Sequence, residues 1–482
     1  VLGDEAGFTA EKMSNKVIDG MDELFQKFKP KSKFTFTKDT DIDKKVLNHK
    51  LTFVISCPID TYSGYGARAR DFVKSILKLD KFDVKILSQR WGSTSRGFIK
   101  DNKKEWGFLE KLIVPGLQEK PDYWCMVTVP NEFQSVGKYN IGLTAGIETT
   151  NCDIEWVKGC NRMDLILTSS KHSKNSFLSS KYQNSENEKD IIEVNKPIEV
   201  LFEGGNLDIY KIIKKFKNKE LYNQIDSISE DFAYLNVGHW MQGNFSHDRK
   251  NIAFTIKSFY ETFKDKEKQP ALILKVCKVN ASIGDKEEMQ RKINDIRDSI
   301  EGKNIPSIYL LHGEFTDEEM NELYNHPKVK AMVSFTKGEG FGRPLLEFSL
   351  IDKPIIVSGW SGHLDFLSKD YTALCGGKIN PIDPSAQVKG MLIKDSQWFD
   401  VDHNYVNHFF NDVVNNYDQW LKKAKDQGKL SRKEFSFNKM TNKISEIFEE
   451  NLKELPKKME LKLPGMDKIK MPKKNNKLKI VK

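Results

Sequence analysis

The sequence SFTKGEGFGRPLLEFSLIDKPIIVSGWSGHLDF, residues 334–366, decides how the second half of the chain folds. An apolar run, Lys330–Phe335, predicts a buried strand that leads into a glycine-rich turn, Gly338–Gly342. Pro344 then favours the first turn of a helix, because a residue there has no helical acceptor for its N–H. A second strand, Lys353–Ser358, ends in another glycine turn. Free N–H groups and a helix dipole at such a turn predict an anion-binding site.

Two carboxylates, Glu339 and Glu347, mark the turn and the helix that follows it. The pattern E-G-F-G-x-P-x-x-E, followed by K-P-I-I-V-S and a glycine turn with an acidic residue, resembles the donor-site signature of retaining GT-B glycosyltransferases, specifically glycosyltransferase family 4. A generic strand–turn–helix unit is the alternative. The spacing of both glutamates, the proline between them and the next strand together favour the glycosyltransferase interpretation.

The length and composition predict a globular protein of two domains with extensions. A chain of 482 residues suits two domains of about 200 residues each. No apolar run approaches the roughly 18 residues needed to cross a bilayer, and no secretory signal is visible, although the chain begins with Val rather than Met. The six cysteines form no CxxC pair, which predicts reduced thiols in the cytoplasm rather than a disulfide framework or a zinc site.

The net charge of +9 is concentrated at the end of the sequence. Residues 456–482 contain ten lysines and two acidic residues, which gives +8 and leaves +1 for the rest. We expect this tail to be a solubilising arm, an edge strand, or a segment that binds an anionic membrane or nucleic acid. Residues 1–50 are predicted to be a polar extension with one helix, 11–28. Asp39, Asp41 and Asp43 alternate as in a calcium loop, but Lys44 and Lys50 replace its glycine and closing glutamate.

The first α/β domain is predicted at residues 51–227, completed by a C-terminal helix at 438–455. Leu51–Ser56 reads as a buried strand that passes through Gly64, Tyr65 and Gly66 into a helix beginning at Ala67. Further strands are expected at 83–87, 124–129, 140–144 and 164–168. The segment around Glu148 and Thr149 resembles a Glu-Thr step that faces the acceptor in the glycosyltransferase family. By the same resemblance, Gly64, Tyr65 and Gly66 face the cleft between the domains on the acceptor side.

The second α/β domain is predicted at residues 228–437. Strand and helix patterns alternate there, with helices expected at 252–263, 286–300, 317–324 and 405–425. Such alternation predicts a parallel sheet covered on both faces. Ligands of these sheets bind beyond the carboxyl ends of the strands, where the chain places Gly238, Gly313 and Gly338–Gly342. The expected fold is therefore GT-B, with two Rossmann-like domains facing a central cleft.

The resemblance implies catalytic roles for Glu339, Lys250 and Arg249 and donor-binding roles for further residues of the site. Lys250 matches a diphosphate-binding lysine, and Arg249 is the second cation, since His239 stands where many members have an arginine after Gly238. Glu339 would hold hydroxyls of the donor sugar, near the N–H groups of the residues that follow it. Glu347 would bind the ribose, since a carboxylate accepts two hydrogen bonds. The nucleobase would lie near the loop from His312 to Phe315. The implied donor-binding residues outside the glutamates and cations are Gly238, His239, His312, Phe315, Gly338, Gly340, Phe341 and Gly342.

The predicted activity is retaining, metal-independent transfer of a sugar from a UDP- or GDP-linked donor to an acceptor hydroxyl. The leaving phosphate would help to deprotonate the acceptor, so no protein nucleophile is assigned. Asp400 and Asp402 match a metal-binding DxD pattern but lie outside a strand–nucleotide context. The acceptor stays open among a glycan, a lipid-linked sugar and a hydroxylated DNA base. The alternative function is a non-catalytic protein of the same fold that binds nucleotide sugars or glycans.

Overall fold

A computed structural model describes residues 50–183, 190–240, 243, 245–278, 282–452 and 455 of the chain. The predicted N-terminal helix, the aspartates at 39–43 and the basic tail from 456 lie outside the described residues.

The apolar runs in the first half of the chain form one parallel sheet. This sheet and the helices that pack on it are here named the first lobe. The strands of this half are β1 (Leu51–Cys57), β2 (Phe82–Ser88), β3 (Tyr123–Val127), β4 (Tyr139–Leu143), β5 (Leu165–Thr168), β6 (Tyr182–Gln183), β7 (Ile191–Ile192) and β8 (Ile198–Val200). Strands β6 and β7 form a small antiparallel pair. The others form the sheet in the order β2-β1-β3-β4-β5-β8.

The second lobe is built on another parallel sheet of six strands. Its strands are β9 (Ala233–His239), β10 (Ala271–Cys277), β11 (Ile308–Leu310), β12 (Val329–Ser334), β13 (Ile355–Ser358) and β14 (Ala373–Cys375), in the order β11-β10-β9-β12-β13-β14. An antiparallel hairpin, β15 (Gly377–Pro381) and β16 (Gln397–Val401), follows. In both sheets the strand order reverses beside the first strand, where open α/β sheets bind ligands.

Helices connect the strands of both sheets. The α-helices of the described residues are α1 (Gly64–Leu79), α2 (Phe98–Asp101), α3 (Lys103–Trp106), α4 (Ile154–Asn161), α5 (Lys171–Ser179), α6 (Lys219–Asp226), α7 (Ile252–Phe263), α8 (Ile283–Asp298), α9 (Asp317–Asn325), α10 (Arg343–Ser349), α11 (His403–Asn415), α12 (Tyr417–Glu434) and α13 (Phe437–Asn451). Thr316 begins α9 as its N-cap in a capping box with Glu319, which satisfies two N–H groups that have no helical acceptor.

Alternate strand residues face opposite cores, as expected for sheets buried on both faces. In the first lobe, Phe53 packs with Phe72 of α1 and Phe448 of α13, whereas Val54 joins a separate cluster with Trp124. The last helix of the described chain therefore completes the core of the first lobe. In the second lobe, neighbouring residues Tyr234 and Leu235 likewise belong to different cores.

Several helices have bounds that differ from the sequence-based expectation. Helix α1 begins at Gly64 instead of Ala67, because the Ser63 side chain caps it by accepting from the amide of Gly66. The single helix expected at 405–425 is two helices separated at Asn416, whose side chain donates to Asp412. Near the end of the predicted first domain, helix α6 buries Leu221 and Ile225.

Candidate active site

The predicted site residues lie at the carboxyl ends of the central strands. Gly64 follows β1, and His239 ends β9. The glycine turn Gly338–Gly342, here named the donor loop, follows β12, which pairs with β9 in parallel. The loop thus lies where the strand order of the second sheet reverses, which is the usual ligand position in this kind of sheet.

A cluster of four charged side chains joins the donor loop to both lobes. Lys250 Nζ lies 2.6 Å from Glu339 Oε1. Arg249 lies 3.7 Å from Glu339 Oε2 and 3.3 Å from Oε1 of Glu148, a residue of the first lobe. Arg249 also donates to the carbonyl of Gly338 at 2.8 Å. Three residues predicted to be catalytic and one predicted for the acceptor side therefore meet in one place.

Burial and pairing set the protonation of this cluster. Burial raises the pKa of Glu339, but Lys250 and Arg249 outweigh it and hold the pKa at about 2. Burial lowers the pKa of Lys250 against the attraction of Glu339. The pKa of Arg249 is raised, since Glu148 and Glu339 outweigh the effect of its burial. At neutral pH Glu339 is therefore an ionised carboxylate between two cations.

The donor loop lies directly against a first-lobe segment, Ala145–Glu148, here named the facing segment. A Cβ atom added at Gly338 would lie 1.8 Å from the Glu148 carbonyl oxygen, and one added at Gly340 would lie 2.5 Å from the Ala145 carbonyl oxygen. Gly342 has a φ of 95°, a left-handed conformation that favours glycine. The glycines of the loop are thus required by the approach of the first lobe as well as by the turn.

The neighbours of the donor loop orient its backbone. The amide of Glu339 donates to Ser361 Oγ at 2.9 Å, and Phe341 packs against Phe366 with ring centroids 4.9 Å apart. His363 is fully buried, with Nε2 2.7 Å from the Ser358 carbonyl. Within the described part of the chain, the N–H groups of Gly340, Phe341 and Gly342 have no acceptor. These amides are available to an anion.

Glu347 belongs to a second charged group between the lobes. Arg343 Nε lies 2.9 Å from Glu347 Oε1, and Arg343 Nη1 lies 2.7 Å from Asp71 Oδ2 on α1. Burial raises the pKa of Glu347 to about 7. Neither Arg343 nor Asp71 is among the predicted site residues. The only local signal was the spacing of Arg343 and Glu347, four residues apart on one helix, which favours an ion pair.

The residues predicted near the nucleobase surround Lys275, whose ammonium lies 4.7 Å from the centre of the Phe315 ring and donates to Gly313 at 2.8 Å. His312 is held between two carbonyls, with Nδ1 3.3 Å from Val276 and Nε2 3.0 Å from Ser282.

The end of β9 lies beside these residues. His239 Nδ1 lies 3.2 Å from Cys277 Sγ, and burial lowers the pKa of His239. A Cβ at Gly238 would contact the Lys250 stem at 3.8 Å. The end of β9 therefore adjoins both the predicted base loop and the predicted diphosphate lysine.

Of the residues predicted for the acceptor side, Tyr65 forms a hydrogen bond with the facing segment. Tyr65 Oη accepts from the Ala145 amide at 3.1 Å and lies 3.0 Å from Thr144 Oγ1, and its ring stacks on Trp91. Gly66 is required by the turn before α1, since a Cβ would lie 2.4 Å from the Thr61 carbonyl oxygen. Gly64, by contrast, has open space around it. Buried Thr149 donates to Asn151 at 3.0 Å and stabilises its own loop.

The region of the β15–β16 hairpin forms hydrogen bonds with the first lobe. The Thr150 amide donates to the Gln397 carbonyl at 2.9 Å, and the Asn151 amide donates to Ser396 Oγ at 3.0 Å. On the other side of the donor loop, the Lys171 amide donates to Asp365 at 2.8 Å. These contacts hold the facing segment in register with the second lobe.

The remaining candidates have structural partners. Asp400 pairs with Lys337 and accepts from Asn380, and Asp402 caps α11. Among the described residues, no group of three His, Cys, Asp or Glu side chains is placed to hold a metal ion. All six cysteines are free thiols. No helix in the described ranges is both long and apolar enough to span a membrane.

Comparisons with known proteins identify the fold. No protein-family model matches the chain, and no curated protein matches it by sequence. A glycosyltransferase from Rickettsia africae has a similar structure, with a TM-score of 0.56, 14% identity, and coverage of 84% of this chain and 99% of that one. HepE from Anabaena, solved with UDP and glucose, gives a TM-score of 0.51 and 12% identity over 83% of this chain and 100% of that one. Sucrose-phosphate synthase from Thermosynechococcus elongatus gives 0.52 and 10% over 83% and 98%. The predicted GT-B fold is confirmed.

Proposed function

We propose that this protein is a retaining glycosyltransferase that transfers a sugar from a nucleoside-diphosphate sugar to an acceptor hydroxyl. The observation that carries the proposal is the meeting of Lys250, Arg249 and Glu339 at the donor loop, beside amides that have no acceptor. The loop connects a strand to a helix at the place where parallel sheets bind nucleotides. The solved complex of HepE with UDP and glucose shares this fold.

The two cations suit the charge that develops when a sugar–phosphate bond breaks. Negative charge grows on the departing diphosphate, and fixed cations and N–H groups stabilise it in a site shielded from water. The side chains of Arg249 and Lys250 are 12% and 17% exposed, and both pair with Glu339. We place the diphosphate between these side chains and the amides of Gly340–Gly342. This cationic site makes a metal ion unnecessary in the proposed reaction.

Glu339 and Glu347 would hold the two hydroxyl-bearing parts of the donor. The carboxylate of Glu339 is ionised and has oxygens able to accept from sugar hydroxyls. Glu347 lies on α10, about one helical turn after Arg343, and we place the ribose beside it. The acceptor would enter from the first lobe, beside Tyr65 and Glu148. Its hydroxyl would attack on the face from which the phosphate leaves, and that phosphate would take the proton, which retains the anomeric configuration.

A donor screen tests the proposal. UDP, GDP and their common hexose conjugates are added to the full chain, and the melting temperature is followed because a ligand of the native state raises it. Release of free nucleoside diphosphate is then measured with the donor that binds. Lys250→Met and Glu339→Gln should each lower the rate by about 10²-fold or more, as found for groups that stabilise transition-state charge. Lys443→Met, in an exposed pair with Glu446 on α13, is the matched control.

The outcomes separate the two candidate functions. Turnover that disappears in both site variants and persists in the control supports the transferase. Binding of a nucleotide sugar without release of diphosphate, in the presence of varied acceptors, would instead support the non-catalytic binding protein. The anomeric configuration of the product, read by NMR, tests retention independently. An inverted product would contradict that part of the proposal.

A further inference from the structure

Arg343 connects the two lobes through a single guanidinium. It is the first residue of α10, directly after the donor loop. Its Nε faces Glu347 on the same helix at 2.9 Å, and its Nη1 faces Asp71 of the first lobe at 2.7 Å. A third carboxylate, Glu203, lies 3.9 Å from the same Nη1. One cation therefore serves acidic groups from both lobes.

Burial and the positive charge of Arg343 act in opposite directions on two carboxylates of this group. Glu347 and Glu203 are 6% and 9% exposed, and burial raises the pKa of each. The pKa of Arg343 is raised well above its usual range, because Asp71 and Glu347 outweigh the effect of burial. The guanidinium remains charged, and its attraction for the ionised form of Glu347 opposes the effect of burial, which raises the pKa of that carboxyl to about 7. An ionised carboxylate is the form that accepts hydrogen bonds from hydroxyl groups.

The planar shape of the Arg343 guanidinium also fixes the relative orientation of its two carboxylate partners. Its donors lie in a rigid plane, so contacts through Nε and Nη1 set the angle between Glu347 and Asp71. A lysine ammonium has no such plane and is a point charge on a flexible stem. Asp71 lies on α1, the helix that carries Tyr65 under the facing segment. The orientation of Glu347 is thus coupled to the helix that supports the acceptor side.

We propose that Arg343 is a positioning residue, which aims the Glu347 carboxylate at the ribose hydroxyls of the donor and ties that contact to the first lobe through Asp71. This inference rests on the proposed function, because it assumes that a nucleoside diphosphate occupies the site. Arg343 would therefore make the protein bind a ribonucleotide more tightly than its 2′-deoxy analogue. The tie to Asp71 sets the approach of the acceptor lobe and therefore affects turnover more than donor affinity.

The test compares the affinities of a ribonucleoside diphosphate and its 2′-deoxy form. UDP and 2′-deoxy-UDP are titrated by calorimetry into the full chain, or GDP and 2′-deoxy-GDP if the wild type binds guanosine. A hydrogen bond to a charged group predicts a ratio of dissociation constants of about tenfold or more in the wild type. In Arg343→Lys the charge persists but the fixed direction is lost, so the ratio should fall to about twofold. Arg432→Lys, which alters an arginine paired with Asp352 on the second lobe, should leave the ratio unchanged.

The variant Asp71→Asn tests the connection between the two lobes. It also provides an independent test of the inference if Arg343→Lys does not fold. This variant leaves the Arg343–Glu347 contact in place and removes one carboxylate from an acidic group. We expect the ribo/deoxy ratio to be kept, while kcat falls and KM for the donor changes little.

Two results would overturn the inference. They are a folded Arg343→Lys variant with the wild-type ratio, and an Asp71→Asn variant with the wild-type kcat. If the wild type binds neither UDP nor GDP, the proposed function itself fails. Binding with an unaltered ratio refutes only the role of Arg343.

Discussion

Removing the negative charge of Glu148 should increase the affinity of the protein for a nucleoside diphosphate. The Glu148 carboxylate lies 3.3 Å from Arg249, so it occupies the side of the guanidinium that we assign to the diphosphate. A donor that binds there must compete with Glu148 for the same cation. The substitution Glu148→Gln keeps the size of the side chain and removes that competition. This outcome is opposite to the usual loss of affinity on altering a site residue.

The magnitude follows from the geometry of the pair. Two unit charges at this separation attract by about 5 kcal/mol at an effective dielectric constant of 20. The Glu148 side chain is 27% exposed, so solvent screening and desolvation leave a net contribution of roughly 1 kcal/mol. A free-energy change of about 1 kcal/mol corresponds to an affinity gain of about fivefold. The gain should shrink at high salt, because mobile ions screen a partly exposed pair.

Isothermal titration calorimetry with UDP, or with GDP if that is the nucleotide bound, measures the effect at low and high ionic strength. Glu155→Gln is the matched control, because Glu155 forms an exposed pair with Lys158 in the same lobe. Its affinity should equal that of the wild type. An affinity that stays constant or decreases in a folded Glu148→Gln variant would refute the placement of the diphosphate beside Arg249.

Three further predictions concern stability and packing. Burial raises the pKa of Asp248 to about 6, so its contribution to stability is present at low pH and is lost as the pH rises through about 4 to 6. The free energy of unfolding of Asp248→Asn relative to the wild type should therefore be higher at pH 7.5 than at pH 4.5 by on the order of 2 kcal/mol, measured by chemical denaturation. An equal difference at both pH values would contradict this. Gly338→Ala should lower both turnover and melting temperature, because its Cβ would lie 1.8 Å from the Glu148 carbonyl oxygen, whereas Gly284→Ala, with nothing within 4 Å, should not. Phe448→Ala should destabilise the first lobe by about 3–5 kcal/mol, measured by chemical denaturation, since this ring stacks on Phe53 across the lobe core; a loss below about 1 kcal/mol would show that α13 is not essential to that core.

Much of the fold could be predicted because local patterns determine it. The apolar runs that became β1 and β12 are continuous, as strands buried on both faces require. The helix expected at 252–263 has the observed bounds, and the helix expected to begin at residue 317 begins there, after the cap formed by Thr316. Both depend on residues within a few positions of each other. Helix α1 began earlier than expected because a serine cap outweighed the two glycines of its first turn.

The features of the site also divide into those set by local sequence and those set by the packing of distant segments. The sequence by itself determined the donor loop, the position of Lys250 at the start of α7 and the spacing of Glu339 and Glu347, because these features are set by a turn and one or two helical turns. Only the tertiary structure decided that Arg343 meets Asp71, 272 residues away in the chain, and that Arg249 meets Glu148. The tertiary structure also shows why residues 66 and 338 are glycines. A Cβ atom at Gly66 or Gly338 would clash with the backbone of another segment. Local periodicity fixes elements through contacts a few residues apart, whereas ion pairs between lobes depend on how two separately formed sheets pack against each other.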